Sequence, residues 1–290
     1  MRVAFAGSPD AAVPSLRALA GSRHEVAVAV TQPDRPRGRS RTPDPTPVAR
    51  AAGELGIPVL RPRSINDEDA VARLEEAAIR ALVVVAFGQI LREAVLGRWY
   101  CVNVHFSLLP AYRGAAPVER ALMDGVERTG VTIMRMDAGL DTGPILRQEA
   151  VDVAPGEDGG ALTARLARVG AGLLPGVLDD LEAGRLAETP QPDEGVSAAT
   201  KITPEDRPLD FSRPAVALER QVRALSPHIG ATCAIDGRQV TVWAARARPE
   251  PAPPGLGVAE GRLLAGCGEG SLELVEVQPA GRARMDAAAL

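Results

Sequence analysis

Lysine is almost absent from this chain of 290 residues: Lys201 is the only one, and arginine carries the rest of the positive charge. The formal net charge is −4, which argues against a protein held on nucleic acid by bulk charge alone. Cysteine is scarce too. Cys101, Cys233 and Cys267 are odd in number and far apart, so neither a disulfide framework nor a zinc spacing is present, and a reducing cytoplasm fits best. His24 and His228 have no acidic or cysteine neighbour at ligand spacing, so no metal site is expected. No apolar run is long enough to cross a bilayer. Met1–Gly7 is too short for a signal peptide and reads as a buried strand. The glycine spacing of a dinucleotide loop is missing after it, and Gly7-Ser8-Pro9-Asp10 reads as a structural turn.

What is present is enough length for one large and one smaller domain, each with its own core. Strands alternate with helices through the first part. The strands are Val3–Ala6, His24–Thr31, Pro58–Leu60, Ala81–Ala86, Cys101–His105 and Val131–Asp137. The helices are Ala11–Ala20, Pro47–Gly56, Glu68–Ala77 and Pro117–Met123. Ala81–Ala86 is apolar throughout, as in a parallel sheet covered by helices on both faces. A helical pattern runs from Ala161 to Ala183, with glycines and Pro175 interrupting it. The expected organisation is an α/β domain over 1–189, a Pro-, Asp-, Glu- and Thr-rich linker over 190–208, and a small domain over 209–290. Short strands around an Asp236-Gly237 turn suggest an OB-like β-barrel for that last part. It has as many acidic as basic residues from Lys201 onward. Ala287–Leu290 reads as part of a helix, so a short further tail is expected.

The chemistry concentrates at Asn103-Val104-His105 and, about forty residues on, at Asp141. Asn103 and His105 alternate with Val102, Val104 and Phe106, so on a strand both polar groups point to one face. An amide can hydrogen-bond a developing oxyanion, an imidazole can shuttle protons near neutral pH, and a carboxylate can orient it. Taken alone, the pair reads more simply as buried and hydrogen-bonded. Arg35, Arg37, Arg39 and Arg41 stud a proline-rich loop that offers phosphate contacts. Alone, that run reads as a solvated loop.

Two longer segments decide between these readings. Asn103–Pro117 is similar to the active-site segment of the folate-dependent formyltransferases, and Gly130–Leu146 resembles their second signature. Thr31–Pro36 with its arginine loop, and Arg113–Pro117, are typical of the member that acts on methionine carried by initiator tRNA. The resemblance implies a Rossmann-like mostly parallel sheet followed by a small tRNA-binding domain. It implies formyl transfer from 10-formyltetrahydrofolate, without a metal, for translation initiation. Asn103 would hold the formyl oxygen, His105 would manage proton transfer, and Asp141 would orient His105 and help deprotonate the amine through a water. The folate would lie along Phe87, Gly88, Gln89, Ile90 and Leu91 and the loop of Ala138, Gly139 and Leu140, with Ser107, Leu108, Leu109 and Pro110 as another wall. Arg39 matches the arginine that reaches the tRNA acceptor end, with Arg35, Arg37 and Arg41 beside it. Ser40-Arg41-Thr42-Pro43 stands where relatives often have consecutive lysines. A monomer without membrane attachment is expected. The same chemistry on a ribonucleotide amine or amino sugar, and a binding protein without turnover, are the alternatives.

Overall fold

The computed structural model describes residues 1–36, 43–253, 255–259 and 261–290. The elements of the first part are β1 (Arg2–Gly7), α1 (Val13–Ala20), β2 (Glu25–Val30), the antiparallel pair β3 (Arg35–Pro36) and β4 (Pro43–Asp44), α2 (Pro47–Glu54), β5 (Val59–Leu60), α3 (Glu68–Glu76), β6 (Ala81–Val85), α4 (Glu93–Leu96) and β7 (Tyr100–His105). There follow β8 (Arg113–Gly114), α5 (Pro117–Asp124), β9 (Arg128–Arg135), β10 (Ile145–Asp152), α6 (Gly159–Glu182) and β11 (Ala198–Ala199). The main sheet runs β10-β9-β7-β6-β1-β2-β5. Its pairs from β7 to β5 are parallel, and β9 joins β7 antiparallel. This is the α/β class expected from the uninterrupted apolar β6, which is buried along its whole length.

Two differences from the sequence reading have physical causes. β10 went unread because Gln148, Glu149 and Ala150 are exposed on an edge strand, which leaves little apolar signal. Conversely, α6 is unbroken over 24 residues, with Pro175 inside it. Its glycines are not breaks. A Cβ at Gly170 would come within 2.6 Å of Val104 Cγ1, so the bare backbone there lets the helix lie close on β7. By length and composition α6 is also apolar enough to cross a membrane, which the reading of the sequence excluded. Its Leu166, Leu174, Val177 and Leu178 are fully buried within the fold.

The last part contains α7 (Ala215–Leu225), β12 (Ala231–Ile235), β13 (Arg238–Arg248), β14 (Gly255–Ala259), β15 (Arg262–Gly266), β16 (Ser271–Pro279) and β17 (Met285–Asp286). They pair in the order β12-β13-β16-β15-β14, with β17 also on β16, as a curled antiparallel half-barrel. Asp236 and Gly237 both have positive φ, 49° and 73°, the signature of the tight hairpin turn read from the sequence. Leu218, Val222 and Leu225 of α7 are buried with Val240, Val242, Leu272, Leu274 and Val277 of the sheet. Each such side chain contributes roughly 1.5–3 kcal/mol on leaving water.

The chain divides into two compact units. The first is Met1–Arg113, Gly130–Val151 and Ala164–Ala198, and the second is Gly114–Thr129, Asp152–Thr163 and Ala199–Leu290. The stretch 190–208, read as a linker, is thus shared between them.

Candidate active site

The C-terminal ends of parallel strands are where an open α/β sheet leaves room for a ligand. Three such ends meet near Ser8. Its Oγ accepts the Gln32 N–H at 3.1 Å after β2 and reaches Phe87 O after β6 at 3.5 Å. A Cβ at Gly7 would sit 2.9 Å from Val85 O, so the first strand turns here only as glycine. That is the structural role expected of this turn.

On the adjacent β7, Asn103 pairs in register with Val84 of β6 and Met134 of β9. His105, only 6% exposed, lies two residues on along the same strand. Its Nε2 stands 2.9 Å from Tyr112 O. A carbonyl can only accept, so Nε2 carries the proton and Nδ1 is the nitrogen left for exchange. Nδ1 faces Asp141 Oδ2 at 3.6 Å. That is beyond a direct hydrogen bond and within reach of a bridging water. Asn103 Nδ2 points to the other oxygen, Asp141 Oδ1, at 3.4 Å. One carboxylate therefore faces both polar side chains of the strand, although 38 residues separate it from Asn103.

Asp141 reaches this position on a left-handed backbone, φ 53°, which a non-glycine residue holds only when its surroundings impose it. Asp137 Oδ1 accepts from Gly139 N at 3.0 Å and Thr142 Oγ1 at 2.7 Å and folds the loop on itself. Gln191, which sequence reasoning assigned to the linker, donates from Nε2 to Asp141 O at 2.8 Å and Gly143 O at 2.7 Å. No sequence signal marked it, because its partners Asp141 and Gly143 lie about fifty residues away.

The residues expected along the folate divide by side chain. Phe87 and Leu91 are 2% and 5% exposed and belong to the core, whereas Ile90 is 79% exposed. Gln89 is committed to Ile65 N at 2.7 Å and Pro62 O at 3.3 Å. Gly88 has φ 76°. Beyond β7, Ser107 Oγ donates to Ala111 O at 2.6 Å. Thr132 Oγ1 and Gln148 Nε2 bind Leu109 N and O at 3.0 and 2.8 Å, while Leu108 and Pro110 are half-buried. Ala138, Gly139 and Leu140 are exposed. What these segments leave available is backbone and the apolar Ile90 and Leu140. Arg35 is exposed on β3; Arg37, Arg39 and Arg41 lie outside the described residues. His228 is exposed, but His24 is buried, with Nε2 3.1 Å from Asp179 Oδ1. Among the described residues no three His, Cys, Asp or Glu side chains are grouped to hold a metal.

Cys101 lies two residues before Asn103 and is buried, 2% exposed. Burial pushes its thiol up to about 12 and that of Cys233 up to about 11. Only the thiolate attacks. In the native protein a disulfide reagent is therefore expected to modify the half-buried Cys267 first, and Cys101 and Cys233 only on unfolding. Rapid modification at Cys101, located by peptide mapping, would contradict this.

The comparisons with known proteins agree over the whole chain. A family model described as formyl transferase matches residues 1–178, and one described as formyl transferase, C-terminal domain, matches residues 201–290. The chain is 47% identical to a methionyl-tRNA formyltransferase of Halorhodospira halophila, covering 99% of this chain and 94% of that one. It is 44% identical to one of Acidothermus cellulolyticus, over 100% and 96%. An N-formyltransferase of Helicobacter canadensis, solved with folinic acid and dTDP-3-aminofucose, shares the fold at a TM-score of 0.71 and 17% identity, over 96% and 98%.

Proposed function

The chain belongs to the formyl transferase family, and from that premise we propose how its site moves a formyl group from a folate onto methionyl-tRNA. The activity is formyl transfer from a formyl-folate to methionyl-tRNA, and translation initiation is the process it serves. The donor we take to be 10-formyltetrahydrofolate and the acceptor the methionine amine of initiator tRNA. The observation that carries the mechanism is the convergence of Asn103, His105 and Asp141 at the end of β7.

In this reading the amine nitrogen attacks the formyl carbon. Asn103 Nδ2 donates to the formyl oxygen as it gains charge, which is where a preorganised donor is most effective. His105, its Nε2 proton held on Tyr112 O, receives at Nδ1 the amine's proton, relayed through Asp141. Asp141, at 3.6 Å from Nδ1, takes the amine's proton through a water. The bond from the carbon to N10 then breaks, N10 gains the proton that His105 Nδ1 took up, and tetrahydrofolate leaves. The loops 87–91, 107–110 and 138–140 are proposed as the folate walls. Their backbone groups would pair with the pterin edge, and Ile90 and Leu140 would cover its face. The arginine loop and the C-terminal unit, residues 209–290 with its flanking linker, would hold the tRNA. The loop would select the initiator by its easily opened acceptor end.

The test is formylation of initiator and elongator methionyl-tRNA side by side with 10-formyltetrahydrofolate. Transfer to the initiator at least about tenfold faster, a difference of ~1.4 kcal/mol, supports both the acceptor and the selection. Transfer to neither, with a dTDP-amino sugar formylated instead, would overturn the acceptor.

A further inference from the structure

The two nitrogens of His105 face two separate segments of the chain, and a single amide side chain ties those segments together. Nε2 meets Tyr112 O, and Nδ1 faces the Asp141 carboxylate. Gln191 reaches both sides. Its Nε2 donates to Asp141 O and Gly143 O at 2.8 and 2.7 Å. Its Oε1 accepts from Arg113 Nε and Nη2 at 3.0 and 2.7 Å, and Arg113 follows Tyr112 in the chain. Both protons and both oxygen lone pairs of that amide are thereby engaged. The same segment adds two further ties: Ser197 Oγ accepts Tyr112 N at 2.9 Å, and Ser197 O accepts Arg113 N at 2.9 Å. Thr189 pairs with Ile145 through N–H to O contacts of 2.8 and 2.9 Å.

From this geometry we infer that Gln191 is a positioning residue for the formyl transfer, acting through Asp141 and His105 without touching either substrate. It holds Asp141 in its left-handed conformation, where the backbone alone would relax, and sets the separation between the carboxylate and His105 Nδ1. The stretch 189–197 then ties the Asp141 loop and the start of β10 to the Tyr112–Arg113 segment. The inference rests on the mechanism proposed above.

Gln191→Met keeps the length and volume and removes every hydrogen bond. Gln191→Glu keeps acceptors for Arg113 but loses the donor to the two carbonyls. For both, kcat is expected to fall ten- to a hundredfold with KM for methionyl-tRNA within about twofold, because a small misplacement of catalytic groups costs rate more than binding. Gln191→Glu isolates the carbonyl half of the bridge. The deciding measurement repeats Gln191→Met in an Asp141→Ala background. If Gln191 works through Asp141, the second substitution there costs less than about twofold, the non-additivity of residues acting as one unit. Unchanged kcat in Gln191→Met overturns the inference. So does the full loss persisting in the Asp141→Ala background, or a loss that appears in KM together with a lowered melting temperature. An inactive wild-type chain would instead remove the function proposed for the site, which keeps the two failures apart.

Discussion

His105→Ala is expected to slow formyl transfer about a thousandfold, within the 10²–10⁴ range that a positioned acid–base group contributes, while KM for both substrates stays close to the wild type. The expectation follows from the burial of His105 and from its fixed tautomer. Tyr112 O accepts a hydrogen bond from Nε2–H, which leaves Nδ1 as the nitrogen for proton exchange, and alanine offers none in its place. Truncation leaves Tyr112 O without that donor, at about 1 kcal/mol for a lost partner, so the melting temperature should fall by only a few degrees. Asn103→Ala removes the donor to the developing oxyanion and should cost about 10²–10³ in kcat. The double variant should lose little more than His105→Ala, because groups that act on one transition state are not additive. Single-turnover assays with calorimetry alongside check this. A His105→Ala protein with near-normal turnover would remove the imidazole from the mechanism.

Gly143→Ala is expected to destabilise the protein by about 1–3 kcal/mol, as overpacking does, and to lower kcat about a hundredfold. An added Cβ would lie 2.0 Å from Arg135 O and 3.3 Å from Met134 Cε. The clash is with backbone, and Arg135 N is already bonded to Pro144 O at 3.0 Å, so β9 cannot retreat without opening that pair. The segment that leads into β10 must move instead, and Asp141, two residues before Gly143, moves with it. Displacement of a catalytic group by about 1 Å is enough for a hundredfold loss. Gly172→Ala is the matched control. It lies within α6, with nothing within 4 Å of the added Cβ, and should be neutral or stabilising by up to ~1 kcal/mol on helix propensity. Equal behaviour of the two variants in urea melts and turnover would show that the Gly143 contact does not constrain the loop.

Much of this protein was legible locally. The alternation at Val102–Phe106 put Asn103 and His105 on one face of a strand, because side-chain direction in a strand depends only on the period of two. The uninterrupted apolar Ala81–Val85 announced a strand covered on both faces, and Asp236-Gly237 announced its hairpin. β10 and the continuity of α6 were not legible in the same way. An exposed edge strand carries little apolar pattern, and a helix glycine explained by Val104 on another element looks, by itself, like a break. The residues proposed to line the folate illustrate the same limit: five consecutive residues, 87–91, share one segment, yet burial sends Phe87 and Leu91 inward and leaves Ile90 out.

What the sequence determined by itself was the chemical inventory and the strand that carries it, since residue type and local periodicity need no partner. Only the tertiary structure decided how near the Asp141 carboxylate comes to Asn103 and His105, which nitrogen of His105 faces it, and that Gln191 ties Asp141 O to Arg113. Those are settled by hydrogen bonds to backbone groups far away in the chain, which follow from where the strands and loops end in space and leave no trace in residue spacing.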